Sequence, residues 1–258
     1  MDGRVKSLEG NRYAQVFANK AYFLRIYPMD SKGRAGKTLS LFCQEFGVPE
    51  SLTFDGSWEQ NGKHTEFMKQ ICIHDIDYHV SKPGQHNQNP VEGVIRELRR
   101  KWYRIMIRKR IPRELCDYGL RWVSETMSLT HTSAGTLNGQ IPLTQVSGET
   151  ADISEYLDFG FYDEVWFKDN ARTEPFEPGR WLGVSNRTGY IMCYHVLYQR
   201  GVVVSQSTVQ RVTNLEKGNS ETKDIFKKFD IVIKKKKLNS IDKGYIGDTP
   251  QKSLKIPT

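Results

Sequence analysis

SLTFDGSWEQNGKHTEFMKQICIHDIDYHVSKPGQHNQNPVEGVIRELRRKWYR, residues 51–104, holds the pattern that decides the fold. SLTF at 51–54 reads as a buried strand running into Asp55-Gly56, and HTEFMKQICIHDI as a helix with Phe67, Ile71 and His74 on one side. DYHVS at 77–81 is a second strand, and KPGQHNQNP is turn chemistry throughout. From Val91 the residues Val91, Ile95, Leu98, Trp102 and Ile105 trace the apolar stripe of a long helix. Strands alternating with helices indicate an α/β arrangement whose sheet is at least partly parallel.

On the N-terminal side, YAQVFA (13–18) and YFLRIY (22–27) are β-rich runs separated by three residues, the pattern of a hairpin that ends at Pro28. KTLSLFCQEFG then places Leu39, Phe42 and Phe46 at helical spacing, with Gly47 as C-cap. On the C-terminal side, Pro112 ends the basic helix and RELCDYGLRWVSETMSLT forms another, burying Leu115, Tyr118 and Trp122. The chain changes character after Gly135. Residues 146–213 read as a small β-rich domain, separated from the core at 1–145, and the Lys-rich residues 214–258 as a disordered tail.

The 38 Lys and Arg against 30 Asp and Glu give a net charge of +8, which favours a polyanionic partner. Cys43, Cys72, Cys116 and Cys193 form no C-x-x-C pair, and the six histidines lack zinc spacing. The cysteines are expected to be reduced and buried, in a nuclear or cytoplasmic protein that is not secreted and has no membrane partner. His79, alternating within its strand, is expected to pack.

Asp55 closes a strand, and Gly56 lets the backbone turn away and leave the carboxylate beyond the sheet. Glu92 stands in the first turn of the basic helix. Either acid alone has an ordinary explanation, as a turn cap or as a complement to the helix dipole. Together they are 37 positions apart, room for one helix and one strand, so the chain's return brings both to one sheet edge. Carboxylates so placed suit Mg²⁺, which takes oxygen ligands and substrate phosphates, and two such ions about 3.5–4 Å apart drive in-line displacement at phosphorus.

Arg96, Arg99, Arg100 and Arg104 follow Glu92 on the same helix and are candidate phosphate contacts. Lys82, Gln85, His86, Asn87 and Asn89 in the preceding loop suit backbone or base contacts near a scissile phosphate, or form an ordinary polar turn. A charge run can equally be a solvated face, so a structural role with no nucleic acid stays open.

TFDGS and SKPGQHNQNPVEGVIRELRRKW resemble the second Asp and the Asn-rich loop plus Glu of the DDE-type integrase core of copia-like LTR retrotransposons. GQIPLTQVSGETADISEYLDFGFYDEVWF, GRWLGVS, YHVL and GVVVSQSTVQRV are similar to the segments after such cores, so the resemblance spans roughly residues 2–213. It implies a ribonuclease H-like mixed sheet flanked by helices. The implied activity is DNA integration: 3′-end processing and strand transfer of element DNA by a polynucleotidyl transferase using Mg²⁺ or Mn²⁺. The implied partners are retroelement ends, target DNA and further copies in a homo-oligomer. Carried over by position, Asp55 matches the second acid and Glu92 the last, and Asp2 is the candidate for the first.

The resemblance has departures. The strand that should carry the first acid falls almost wholly before Met1, the zinc-binding module that usually precedes such cores is absent, and the 37-residue interval differs from the family's. The chain thus reads as an N-terminally truncated polyprotein fragment. The alternative function is a non-catalytic nucleic-acid-binding relic that keeps the basic helix.

Overall fold

The computed structural model describes residues 6–55, 60, 62, 64–81, 91–130, 139–168, 175–185 and 192–235. The chain divides into two compact units, residues 1–152 and 153–258, against an expected boundary after residue 145.

In the first unit β1 (Tyr13–Ala18) and β2 (Leu24–Met29) form an antiparallel hairpin in register Tyr13↔Met29 to Ala18↔Leu24. Asn19 builds the turn: its side-chain oxygen accepts from the Ala21 and Phe23 amides at 2.9 and 3.1 Å, and Tyr22 takes φ 63°. These bonds delay the second strand past the expected 22–27. It runs through Pro28 rather than ending there, because an edge position tolerates the missing N–H.

Helix α1 (Ala35–Phe46) ends at Gly47, whose φ of 86° turns its amide onto the Cys43 carbonyl at 3.0 Å. Strand β3 (Ser51–Asp55) leads to α2 (Glu66–Ile73), whose N-cap Thr65 accepts from the Met68 amide. The crossover returns the chain in β4 (Asp77–Ser81), parallel to β3, with Asp55 opposite Ser81. Then come α3 (Val91–Lys109), α4 (Cys116–Leu129) and α5 (Pro142–Ser147).

One core joins the hairpin to the parallel pair. Phe17 and Tyr27 from the hairpin, Leu39 and Cys43 from α1, Phe54 from β3, and Phe67 and Ile71 from α2 form a single buried cluster. Phe17 stacks on Phe42 at 4.6 Å, and Phe54 meets Phe67 edge-on at 5.2 Å. Gly36 lets α1 approach α2, since a Cβ there would lie 2.5 Å from the Glu66 backbone. Alternation along β2 turns Leu24 and Ile26 the other way, and α4 touches β2. There the Ser128 hydroxyl donates to the Leu24 carbonyl at 2.8 Å and accepts from its amide at 3.0 Å.

The architecture is mixed α/β, and among the described residues the strands of the first unit form two two-stranded sheets. Among the described residues no strand lies between β1 and β3 in either sheet. Among the described residues β3 has β4 as its one strand neighbour, and it buries Phe54 rather than its whole run. His79 on β4 is exposed rather than packed, and His74 ends α2 instead of extending its apolar side. Cys72 is likewise exposed, while Cys43 and Cys193 are buried, and all four cysteines are free thiols.

The second unit is built on one antiparallel sheet in the order β8-β7-β6-β5-β9. The strands are β5 (Glu164–Phe167), β6 (Glu177–Val184), β7 (Tyr194–Tyr198), β8 (Val203–Gln206) and β9 (Val209–Arg211). A short helix, α6 (Ser154–Leu157), precedes them. Trp181, Val165, Val196 and Leu197 are fully or almost fully buried in the sheet.

The expectation of a disordered tail from residue 214 does not hold as far as Lys235: α7 (Asn214–Gly218) and α8 (Ser220–Lys235) follow directly, and residues 236–258 lie outside the described set. Thr213 and Glu216 form a reciprocal capping box on α7. Helix α8 buries Thr222, Phe226, Phe229 and Ile233, an i, i+4, i+7, i+11 stripe that outweighs its lysines. It packs on β6, where Arg180, buried, reaches Asp230 at 2.8 Å and Glu164 at 3.4 Å and lies over the Phe226 and Tyr162 rings. Among the described residues no helix is long and apolar enough to cross a membrane.

Candidate functional site

Asp55 is the last residue of β3, exposed, at the C-terminal edge of the parallel pair, where ligands of α/β sheets gather. Its strand is held by Phe54 beneath it. Ser81 sits opposite in register, and its buried hydroxyl donates to the Phe54 carbonyl at 3.1 Å, tying the two strand ends together. Ser81 carries no sequence signal of its own, since only the pairing register brings it beside Asp55. The next described residues after β4 are those of α3, and Glu92 is exposed in its first turn.

Helix α3 is anchored by Val94, Leu98 and Trp102, so the stripe begins at Val94 rather than Val91. Trp102 lies against Gly119 of α4, where any Cβ would come within 2.0–2.7 Å of its ring. With that side fixed, the remaining positions follow from about 100° of rotation per residue. Arg96, Arg99 and Tyr103 then lie about 40°, 20° and 20° from Glu92 around the helix. All three are exposed, Tyr103 by 55%.

Arg100 lies about 80° away, and its guanidinium is held by Glu97 at 2.7 Å. The hydrogen bond from Arg100 keeps the Glu97 carboxyl below the usual carboxylate range, so Glu97 is engaged within its own helix. Arg104 lies about 120° and Lys101 about 180° from Glu92, toward α4. The basic residues of α3 thus form two stripes. One flanks Glu92, and the other lines a groove against α4 made by Trp122, Val123 and Met127.

Asp2, Lys82, Gln85, His86, Asn87 and Asn89 lie outside the described residues. Asp55 and Glu92 supply hard oxygen donors of the kind Mg²⁺ or Mn²⁺ takes. Among the described residues no group of three or more His, Cys, Asp or Glu gathers to hold a metal ion.

No family model and no curated protein matches the chain. A solved structure that it resembles is a chain of the simian T-cell lymphotropic virus intasome in complex with PP2A regulatory subunit B56 gamma. The identity is 11% and the TM-score 0.38, over 78% of this chain and 80% of that one. The likeness is loose in sequence and in geometry.

Proposed function

We propose that the first unit is the core of a metal-dependent polynucleotidyl transferase of the integrase type, acting in 3′-end processing and strand transfer of element DNA. The observation that carries this reading is the placement of Asp55 at the C-terminal edge of a parallel strand pair, with Glu92 on the next helix flanked by the exposed Arg96 and Arg99. Asp55 and Glu92 would hold Mg²⁺ or Mn²⁺, with Asp2 as the third acid. When bound, such ions activate the attacking oxygen and stabilise the leaving one.

The ribonuclease H-like form of the fold belongs to the same proposal. It requires a strand joining the two pairs of the first unit, and the shared core around Leu39 and Phe54 is consistent with both pairs belonging to one sheet. The loop residues Lys82, Gln85, His86, Asn87 and Asn89 are proposed DNA contacts beside the two acids. DNA ends and target DNA are the proposed partners, with a homo-oligomer as the working assembly.

The chain's own residues have separable roles in this reading. The carboxylates position the metal, Arg96 and Arg99 neutralise phosphates, and Ser81 keeps the end of β3 in register. The test is Mn²⁺-dependent strand transfer by Asp55→Asn and Glu92→Gln beside the unaltered chain. Each variant is expected to lose at least about a hundredfold in joining rate, about 2.7 kcal/mol of transition-state stabilisation, while DNA binding is retained. Unchanged joining in both variants overturns the reading.

The alternative is a nucleic-acid-binding relic. It is favoured by α3, whose exposed arginines bind phosphate without any third acid. It expects salt-sensitive DNA binding, weakened by Arg96→Ala with Arg99→Ala, and no metal-dependent joining by the unaltered chain. For each phosphate that the variant no longer neutralises, the log–log salt slope should become shallower by about 0.9.

A further inference from the structure

The second basic stripe of α3 borders a groove that the proposed DNA chemistry does not use. The groove runs between α3 and α4 and has a volume of about 310 Å³. Val123 and Met127, both buried, and the half-buried Ile105 and Trp122 make its floor, and exposed Lys101 and Arg104 stand at its mouth. None of the lining residues is acidic; Glu97 of the same helix lies within electrostatic range of both cations but is itself paired with Arg100, so the opening keeps a net positive charge.

This combination selects a class of occupant. A purely polar anion gains nothing from a floor of Ile, Val, Met and indole carbon, and the Thr126 and Thr130 hydroxyls in the lining already donate to helix carbonyls, which leaves few groups to read a nucleotide base. Aliphatic or aromatic side chains do gain: a volume near 300 Å³ lies at the small end of binding pockets. Methionine also adapts to varied apolar shapes. The cations at the mouth add attraction for carboxylates beside those apolar groups. An amphipathic helix meets both demands at once.

We infer that the α3–α4 groove is a docking site for an acidic amphipathic segment of a partner protein, which seats apolar side chains over Trp122 and Met127 and pairs its carboxylates with Lys101 and Arg104. Because Lys101 lies on the opposite side of α3 from Glu92, by about 180°, the segment and a phosphate backbone engage different sides of the same helix.

The probe is a fluorescein-labelled helical peptide with Leu and Trp on one side and Glu on the other, titrated with the full chain and followed by anisotropy. The control peptide keeps every Glu and replaces Leu and Trp by Ser. The first peptide is expected to bind at least about tenfold more tightly, a difference of about 1.4 kcal/mol. Arg104→Glu, at an exposed position, and Thr126→Glu, at the half-buried groove wall, are each expected to weaken it by a similar factor. Arg99→Glu, on the Glu92 side, is expected to leave it within about twofold. Equal binding of the two peptides overturns the proposal, as does equal weakening by Arg99→Glu and Arg104→Glu. Displacement of the peptide by duplex DNA also overturns it, by assigning the groove to nucleic acid.

Discussion

Among the described residues, the five strands of the second unit form one sheet, whereas the four of the first form two separate pairs. The difference follows from how each strand finds its neighbour. In the second unit β5, β6 and β7 each pair with the strand that follows, and β9 returns beside β5, so pairing alone assembles the sheet. Its outer strands are short, four and three residues, which limits exposed edge. In the first unit the described residues of a hairpin and a crossover pair meet through side chains packed with α1 and α2. One unit is held chiefly by its ladder and the Arg180 clamp, the other by its helices.

The largest expected effect tests the clamp. Asp230→Ala leaves Arg180, 10% exposed, with Glu164 as its remaining ionic partner. Because Asp230 is itself 35% exposed, the loss is that of its charge-assisted hydrogen bonds, about 2–3 kcal/mol, and hydrogen exchange should report it in β6 and α8 alone. A loss below about 0.5 kcal/mol, the range of ordinary surface substitutions, removes the clamp from the comparison.

Gly119→Ala is the matching change in the first unit. The new methyl meets the Trp102 ring, so α3 and α4 must separate. Overpacking of this kind costs about 1–3 kcal/mol, expected as a lower denaturant midpoint with exchange accelerated in α3 and α4. Unchanged exchange there would show that the first unit does not depend on that helix contact.

A smaller effect depends on pH. Burial raises the Asp117 carboxyl from its ordinary 3.8 to about 6, although Ser7 and Asn11 donate hydrogen bonds that oppose the shift. The folded chain therefore binds this proton more tightly than the unfolded chain does. The group's contribution to stability is greatest below about pH 4 and declines as pH rises toward 6. Asp117→Asn keeps an acceptor for Asn11 and should flatten that decline, by about 2 kcal/mol between pH 4 and 7. An unaltered pH profile would show that Asp117 ionises freely in the fold.

Local signals carried most of what the sequence revealed. Strand β1, the Gly47 cap, the helix before DYHVS and the basic helix are each set by residues within a few positions, and all appear where the pattern puts them. Pairings across long separations were not legible. Arg180 and Asp230 are 50 positions apart, and Ser128 reaches Leu24 across 104. Helix α8 was legible but outvoted: its lysines suggested a solvated tail, while Phe226, Phe229 and Ile233 already lay at helical spacing. For the site, the ends of β3 and α3 were visible, but the division of the arginines into two stripes depends on Trp102 locking the rotation of α3.

The Asp55↔Ser81 register has a consequence for which changes in length the chain can accept. Side chains alternate along a strand, so losing one residue between Ser51 and Phe54 would turn Asp55 to the opposite side of the pair. One residue added between Glu92 and Val94 would swing the acid about 100° around α3, away from the arginines beside it. Insertions and deletions compatible with the site are therefore confined to the segments joining these elements, and the acids are kept in place by counting within β3 and α3.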